Sequence, residues 1–268
     1  MKNTKTLLFK LKVVISCCVL SAAHAALADN QNVLPIIMEN FPPFEFERDG
    51  VITGFNTEII TQVIKRMGYE PEIKALPWAR AQLIAQNGQV AAIYGMAKNP
   101  EREQVYYFSD PISTVEDVFF KLKSKSISWQ TLDDLKDYRV GYSNGYGYIA
   151  PFWAAVKNNK FKGASQLSGE NLELRQLQEL RLGRIDIAVC EVTVCNYLIQ
   201  TNAPQFDMID YIDQPLGGVR TYHIGFSKKW PGAEKLAKQF NVELAKFIAE
   251  GKRRAIFEKY GVVSPLEQ

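Results

Sequence analysis

Short apolar runs, most of them closed off by glycine or proline, alternate along this chain with longer segments whose apolar residues recur every three or four positions. The short runs, at 34–38, 70–75, 90–94, 138–142, 185–189 and 221–226, have the length of buried strands. A longer stretch at 114–122, carrying Val115, Val118, Phe119 and Phe120, reads as extended. Helical spacing marks 56–67 through Ile59, Ile60, Val63, Ile64 and Met67. It marks 231–249 through Leu236, Phe240, Leu244, Phe247 and Ile248. Segments 78–87, 132–135, 152–156, 172–182 and 253–260 complete the predicted helices. Strands that alternate with helices in this way predict an α/β architecture, in which ligands sit outside the carboxyl ends of the strands.

Turn chemistry agrees with that reading. Asn56 and Thr57 offer N-caps after Gly54, Gly68 ends that helix, and Pro77 opens the next at its first turn. Pro42 and Pro43 stop the first strand and leave Phe41 and Phe44 displayed beside it. The pattern then repeats. Helix, Gly88 and Gln-Val-Ala-Ala-Ile-Tyr in the first half correspond to helix, Gly183 and Arg-Ile-Asp-Ile-Ala-Val in the second. Two similar halves predict two lobes, each bringing a buried strand end to a shared cleft.

Charge changes the picture once the first residues are set aside. Lys2, Lys5, Lys10 and Lys12 precede an apolar stretch at 13–23, and Ala-His-Ala or Ala-Leu-Ala then offers a small-residue cleavage site. Residues 1–28 therefore read as a cleavable secretory signal, with cleavage expected after Ala28. Cys17 sits in a weak match to a lipoprotein cleavage box, with Lys12 interrupting the apolar stretch ahead of it. Removing four lysines and no acid from 32 basic and 29 acidic residues turns a formal charge of +3 into −1. That removes the electrostatic basis for a nucleic-acid partner. The remaining 240 residues predict an exported periplasmic protein, and a monomer is expected. Cys190 and Cys195 are the two cysteines left after export, and an oxidising compartment favours their pairing where geometry permits.

Candidate chemistry gathers at strand ends. The strand at 90–94 finishes at Tyr94 and Gly95 and runs into a polar loop that carries Arg102. A guanidinium there suits a carboxylate held through two parallel hydrogen bonds. The corresponding strand of the second half ends at Cys190 and Glu191. Phe41, Trp78, and Tyr146 with Gly147 in the turn at 143–147 stand beside turns, and aromatic residues line small-molecule pockets. Phe44, Phe55, Tyr107 and Phe119 read as core. Arg80, one helical step from Trp78, is a candidate second anion contact. His223 alternates within a strand and reads as a hydrogen-bonded strand histidine. As the only histidine after residue 28, it leaves no credible nucleophile–histidine–acid set and no zinc site. The glycines at 145 and 147, with Glu170 downstream, match a dinucleotide fingerprint. Pro151 follows them, however, and an exported protein meets little nicotinamide cofactor, so no cofactor is expected.

Several of these pieces occur in a familiar order: Phe-Pro-Pro-Phe-Glu-Phe from Phe41, Gly-Phe-Asn-Thr-Glu-Ile from Gly54, and Pro-Glu-Arg from Pro100. Phe-Ser-Asp-Pro from Phe108, Val-Gly-Tyr-Ser-Asn-Gly from Val140, and Gly-Arg-Ile-Asp-Ile-Ala-Val-Cys-Glu from Gly183 follow. Over residues 33–262 the ordered set resembles the family 3 periplasmic solute-binding proteins, which bind polar amino acids for ABC importers. The resemblance implies a two-lobed α/β fold with two crossover hinge strands. One lobe would comprise 29–117 with 220–268, and the other 118–219. It implies that Arg102 holds a ligand carboxylate and Glu191 its ammonium, that Phe41 and Trp78 sandwich its side chain, and that the turn at 144–148 donates backbone N–H groups. The crossings at 115–121 and 213–221 would flex, with Gly217 and Gly218 absorbing part of the change.

Departures from the family pattern bear on the ligand. Gly95-Met96-Ala97 stands where a hydroxyl is usual, Tyr146-Gly147-Tyr148 where Ser or Thr is usual, and Glu191 where Asp is usual. These favour a larger, partly apolar or aromatic-stacking ligand. The expected function is capture of a small carboxylate-bearing ligand, an amino acid or derivative, for an ABC permease, without catalysis. Two alternatives share the fold: a cyclohexadienyl or arogenate dehydratase using Glu45 or Glu191 as acid, and a sensory binding protein.

Overall fold

The computed structural model describes residues 32–262 and 266; the expected signal at 1–28 lies outside the described residues. Two mixed sheets form the frames of two lobes. The first is built from β1 (Val33–Met38), β4 (Glu70–Ala75), β5 (Ala92–Ala97), β6 (Tyr106–Phe108) and β13 (Arg220–Ser227), in the order β4-β1-β5-β13-β6. β7 (Ser113–Val115) also pairs with β13. β1 runs parallel to β4 and β5, while β13 is antiparallel to β5, β6 and β7. A hairpin of β2 (Phe46–Arg48) and β3 (Val51–Thr53) follows β1. The second sheet orders β10 (Gly163–Leu167), β9 (Arg139–Ser143), β11 (Ile187–Glu191), β8 (Asp117–Leu122) and β12 (Ile209–Ile212) as β10-β9-β11-β8-β12.

Helices cover these sheets with the faces that the sequence pattern marks. α1 (Phe55–Arg66) buries Ile59, Ile60, Val63 and Ile64 completely, and packs with α7 (Ala233–Ala249) and α8 (Lys252–Lys259) over the first sheet. α7 contributes Leu236, Phe240, Leu244 and Phe247 to the same core. α2 (Trp78–Gln86) lies against β1 and β5. The second lobe's core gathers Phe119, Val140, Phe152, Ile187 and Val189, with α4 (Ala150–Lys157) supplying Phe152. α5 (Leu172–Arg181) and α6 (Val192–Thr201) close its other face around Phe120, Leu177, Leu180 and Cys195. Each buried aliphatic or aromatic side chain removed from water contributes about 1.5–3 kcal/mol, so both lobes hold their shape through their own cores.

Several boundaries differ from the sequence reading for identifiable reasons. The strand expected at 90–94 is β5 at Ala92–Ala97, and Gly95 lies inside it, at φ +76°, with no side chain to obstruct its neighbours. The loop expected to carry Arg102 is a helix, α3 (Pro100–Val105). Asn99 caps it by accepting from the Arg102 backbone N–H at 2.7 Å, and Pro100 stands in its first turn. α1 starts directly after Gly54, one or two residues ahead of the expected caps. The segment at 132–135 is 3-10 rather than α-helical, and β10, β12 and α6 escape the periodicity argument entirely.

The chain passes between the sheets twice, at Glu116 between β7 and β8 and at 213–219 before β13. The passages are joined. Leu216 N–H donates to the Asp117 carbonyl at 2.7 Å, and the Arg220 guanidinium pairs with the Asp117 carboxylate. Cys190 and Cys195 form a disulfide, Cα–Cα 6.3 Å, linking the end of β11 to α6. Among the described residues no helix is long and apolar enough to cross a membrane.

Candidate ligand site between the lobes

The carboxyl ends of β1 and β5 open toward the second lobe, and there a cavity of about 30 Å³ lies at the seam. It is lined by Glu39, Phe41, Glu45, Trp78, Tyr94, Gly95, Met96, Ala97, Arg102, Tyr146, Gly147 and Tyr222. Seven of these, Phe41, Trp78, Tyr94, Gly95, Arg102, Tyr146 and Gly147, are positions singled out from the sequence. A volume of that size has room for one or two waters. An outer cleft of about 840 Å³ continues from it past Lys98, Tyr148, Trp153 and Arg220.

Arg102 reaches the seam because it faces inward from α3, where it is 9% exposed. Its Nη1 donates to the Ala97 carbonyl at 2.9 Å and its Nη2 to the Gly145 carbonyl at 3.3 Å, so one guanidinium touches both lobes. The guanidinium also lies 5.4 Å from the centre of the Trp78 ring, within cation–π range. Trp78 donates its indole N–H to the same Gly145 oxygen at 3.1 Å. Gly147 follows, its carbonyl accepting from Arg220, and a Cβ on Gly147 would stand 3.5 Å from Arg102 and 3.6 Å from Arg220. The turn at 145–147 therefore lies against three donors of the first lobe's elements, Trp78, Arg102 and, at the start of β13, Arg220.

Aromatic walls complete the cavity. Phe41 is held by a turn in which its N–H donates to the Glu45 carbonyl at 2.6 Å, and its ring meets Tyr146 edge-on at 6.1 Å. Tyr146, from the second lobe, donates its hydroxyl to Glu39 at 3.1 Å and leans on Tyr148. Tyr94 shares a 2.9 Å hydrogen bond with Thr57 at the cavity floor.

Glu39 is the carboxyl group of the site that the sequence reading missed. Glu39 follows β1 directly and is 9% exposed. Burial, with Glu173 and Glu45 nearby, pushes its carboxyl well above the usual carboxylate range. Glu45, weighed earlier only as an acid for catalysis, is fully enclosed, accepts from Asn56 Nδ2 at 2.8 Å, and is pushed up to about 8 by desolvation. Its Oε1 would lie 1.9 Å from any Cβ at position 95, which explains why Gly95 occupies that place in the strand. The signal for Glu39 was its position immediately after a buried strand, where a charged side chain must enter the cleft or solvent.

Two expected site residues stand apart from this cavity. Glu191 does not line the cavity with Arg102. It caps α6, accepting from the Val194 N–H at 2.8 Å, and its other face borders a separate cavity of about 170 Å³ with Phe44, Phe55 and Ser113. Burial pushes its carboxyl up to about 8. Arg80 is exposed and absent from the cavity lining, because residues two apart on a helix point to different faces. His223 is buried between Thr221 and the Ser109 carbonyl, at 2.8 Å from each. Among the described residues no group of His, Cys, Asp or Glu is arranged to hold a metal ion.

Residues 35–263 match the family model for bacterial extracellular solute-binding proteins, family 3. Arginine-binding extracellular protein ArtP of Bacillus subtilis (strain 168) is 28% identical over 169 residues, 61% of this chain and 62% of ArtP, just under two thirds of its length. L-cystine-binding protein TcyJ of Escherichia coli (strain K12) is 27% identical over 225 residues, 82% of this chain and 79% of TcyJ. Among solved structures, an ancestral arginine-binding protein bound to arginine shares the fold at a TM-score of 0.74 and 24% identity, over 85% of this chain and 98% of that one. The ancestral amino-acid-binding protein AncCDT-1, a precursor of cyclohexadienyl dehydratase, shares it at 0.69 and 22% identity, over 85% and 94%. With the family matched across nearly all of the described chain, this protein belongs to family 3 of the bacterial extracellular solute-binding proteins.

Proposed function

We propose that this protein captures a small carboxylate-bearing ligand, an amino acid or a derivative of one, between its lobes in the periplasm and delivers it to an ABC permease. The observation that carries this reading is the buried Arg102 guanidinium at the seam, flanked by Trp78 and engaged with carbonyl oxygens of both lobes. Carbonyl oxygens accept from a guanidinium as carboxylate oxygens do, so a ligand carboxylate can exchange for the Gly145 carbonyl when the seam opens. Phe41, Trp78 and Tyr146 supply apolar walls for its side chain, and the acids Glu39 and Glu45 suit a cationic group.

Arg102, Trp78 and Tyr146 already bond across the seam, so admitting a ligand between the lobes requires opening and reclosing about the passages at Glu116 and 213–219. Ligand would then favour the closed form through contacts that exist only there. A thermal-shift screen against the amino acids and related small carboxylates tests it. A true ligand at a hundred times its Kd adds about 2.7 kcal/mol of stability. No stabilisation by any amino acid or derivative would remove the reading.

One observation favours a second reading. Glu45 is held protonated near neutral pH inside the same cavity, as a general acid would need. Incubation with prephenate or arogenate, followed by detection of an aromatic product, decides for or against a dehydratase.

A further inference from the structure

The seam beside the candidate site sets acids of one lobe against acids of the other. Glu39, at the end of β1, meets the Tyr146 hydroxyl of the second lobe at 3.1 Å. Glu173, in the first turn of α5, is 5% exposed and close enough to Tyr146 and Glu39 for their charges to interact. The opening next to them is lined by Glu39 and Glu47 from the first lobe and by Glu170 from the second. We propose that Glu39 and Glu173 form a proton-gated latch between the lobes, closed while a carboxyl at this seam is protonated and weakened when both ionise.

The surroundings of the two groups leave few other ways to neutralise them. Glu39 faces Tyr146, Glu173 and Glu45, and the nearby Trp78 backbone N–H favours its ionised form. Glu173 faces Tyr146, Ser143 and Asp117, and the backbone N–H beside it favours its ionised form. Arg102, the one cation lining the cavity, directs its described bonds to the carbonyls of Ala97 and Gly145, and Arg220 pairs with Asp117. Two ionised carboxylates confined together at low dielectric repel, as paired acids do elsewhere. Opening the seam hydrates both and separates them.

The sign follows from burial. Glu173 is pushed up to about 7 in the closed form and Glu39 also lies well above its ordinary value. A group whose pKa is higher in the closed form supports closure fully below the open-form value, about 4.3 for a solvated glutamate. That support is lost as pH rises through the closed-form value. The lobes should therefore part between about pH 4.3 and 7 in protein without added ligand. A ligand's cationic group at the seam would replace the proton.

Small-angle scattering from the full exported chain, without added ligand, at half-unit steps from pH 4.5 to 8.5 reads the latch directly. The radius of gyration is expected to rise with pH, and to rise markedly less in Glu39→Gln/Glu173→Gln, which mimics the protonated pair and leaves Glu45 and Glu191 to titrate. Single variants, each checked for folding by circular dichroism, are expected to show a reduced rise. A radius independent of pH in the wild-type protein would overturn the proposal. An equal rise in the double variant would overturn it too. Neither result bears on whether Arg102 holds a ligand.

Discussion

The indole N–H of Trp78 donates to the carbonyl of Gly145 at 3.1 Å, joining the first turn of α2 to a turn of the opposite lobe. That oxygen also accepts from Arg102, so the aromatic wall and the candidate anchor share one acceptor. Opening the seam frees the oxygen and exposes a side chain that is 6% exposed when closed.

Trp78 should therefore report closure. Tryptophan emission is expected to shift to shorter wavelength on ligand binding, and Trp78→Phe should abolish most of that shift. Trp129 and Trp230 line neither the cavity nor the outer cleft, whereas Trp153 borders that cleft and accounts for the remainder of the shift. Loss of one hydrogen bond should weaken closure by about 0.5–1.5 kcal/mol. Steady-state fluorescence of the two proteins through one titration checks both expectations.

The disulfide should contribute to folding stability. Cys190 and Cys195 close a short loop that contains Glu191 and the first turn of α6. Chain-entropy reasoning assigns a loop of this length about 2 kcal/mol. The double Cys→Ser variant is expected to unfold at lower urea with an unchanged slope, read by far-UV circular dichroism.

Glu191 should make the folded protein less stable at alkaline pH. Its pKa rises on folding from an ordinary carboxylate value to about 8, because burial outweighs the Val194 and Glu116 N–H groups that favour its ionised form. A raised folded-state value gives support that is complete below about pH 4.3 and is lost as pH climbs through 8. Glu191→Gln keeps an oxygen for the Val194 N–H and removes the titration. Urea midpoints at pH 5, 7 and 9 should fall less for the variant than for the wild type.

How far the sequence disclosed this site depended on which force set each position. Phe41 and Trp78 were legible because prolines fix the turns beside them, and Arg102 because it follows a buried strand in a Pro-Glu-Arg run. Both lobes were legible from alternating periodicities. Gly95 was read as a strand end when it lies inside β5, since the reason for a glycine there is the distant Glu45 carboxyl. Glu191 was placed opposite the ligand because the family resemblance puts an acid at that strand end. Its capping role depends on α6, whose opening Val-Thr-Val reads more like a strand than a helix. Arg80 lies on a helix face turned away from the cavity, and Glu39 was overlooked because its place after a buried strand does not by itself distinguish an acid entering the cleft from one entering solvent.

Calorimetric titration of the amino acid identified by the stability screen, into wild-type protein, Arg102→Ala and Arg80→Ala, tests the central assignment. Arg102→Ala should lose at least about 1.5–3 kcal/mol of binding, roughly 10- to 150-fold in Kd, as expected for a charge-assisted hydrogen bond. Arg80→Ala, altering an exposed side chain, should bind within twofold of wild type. An Arg102→Ala protein that binds within twofold of wild type would show that the ligand is held elsewhere.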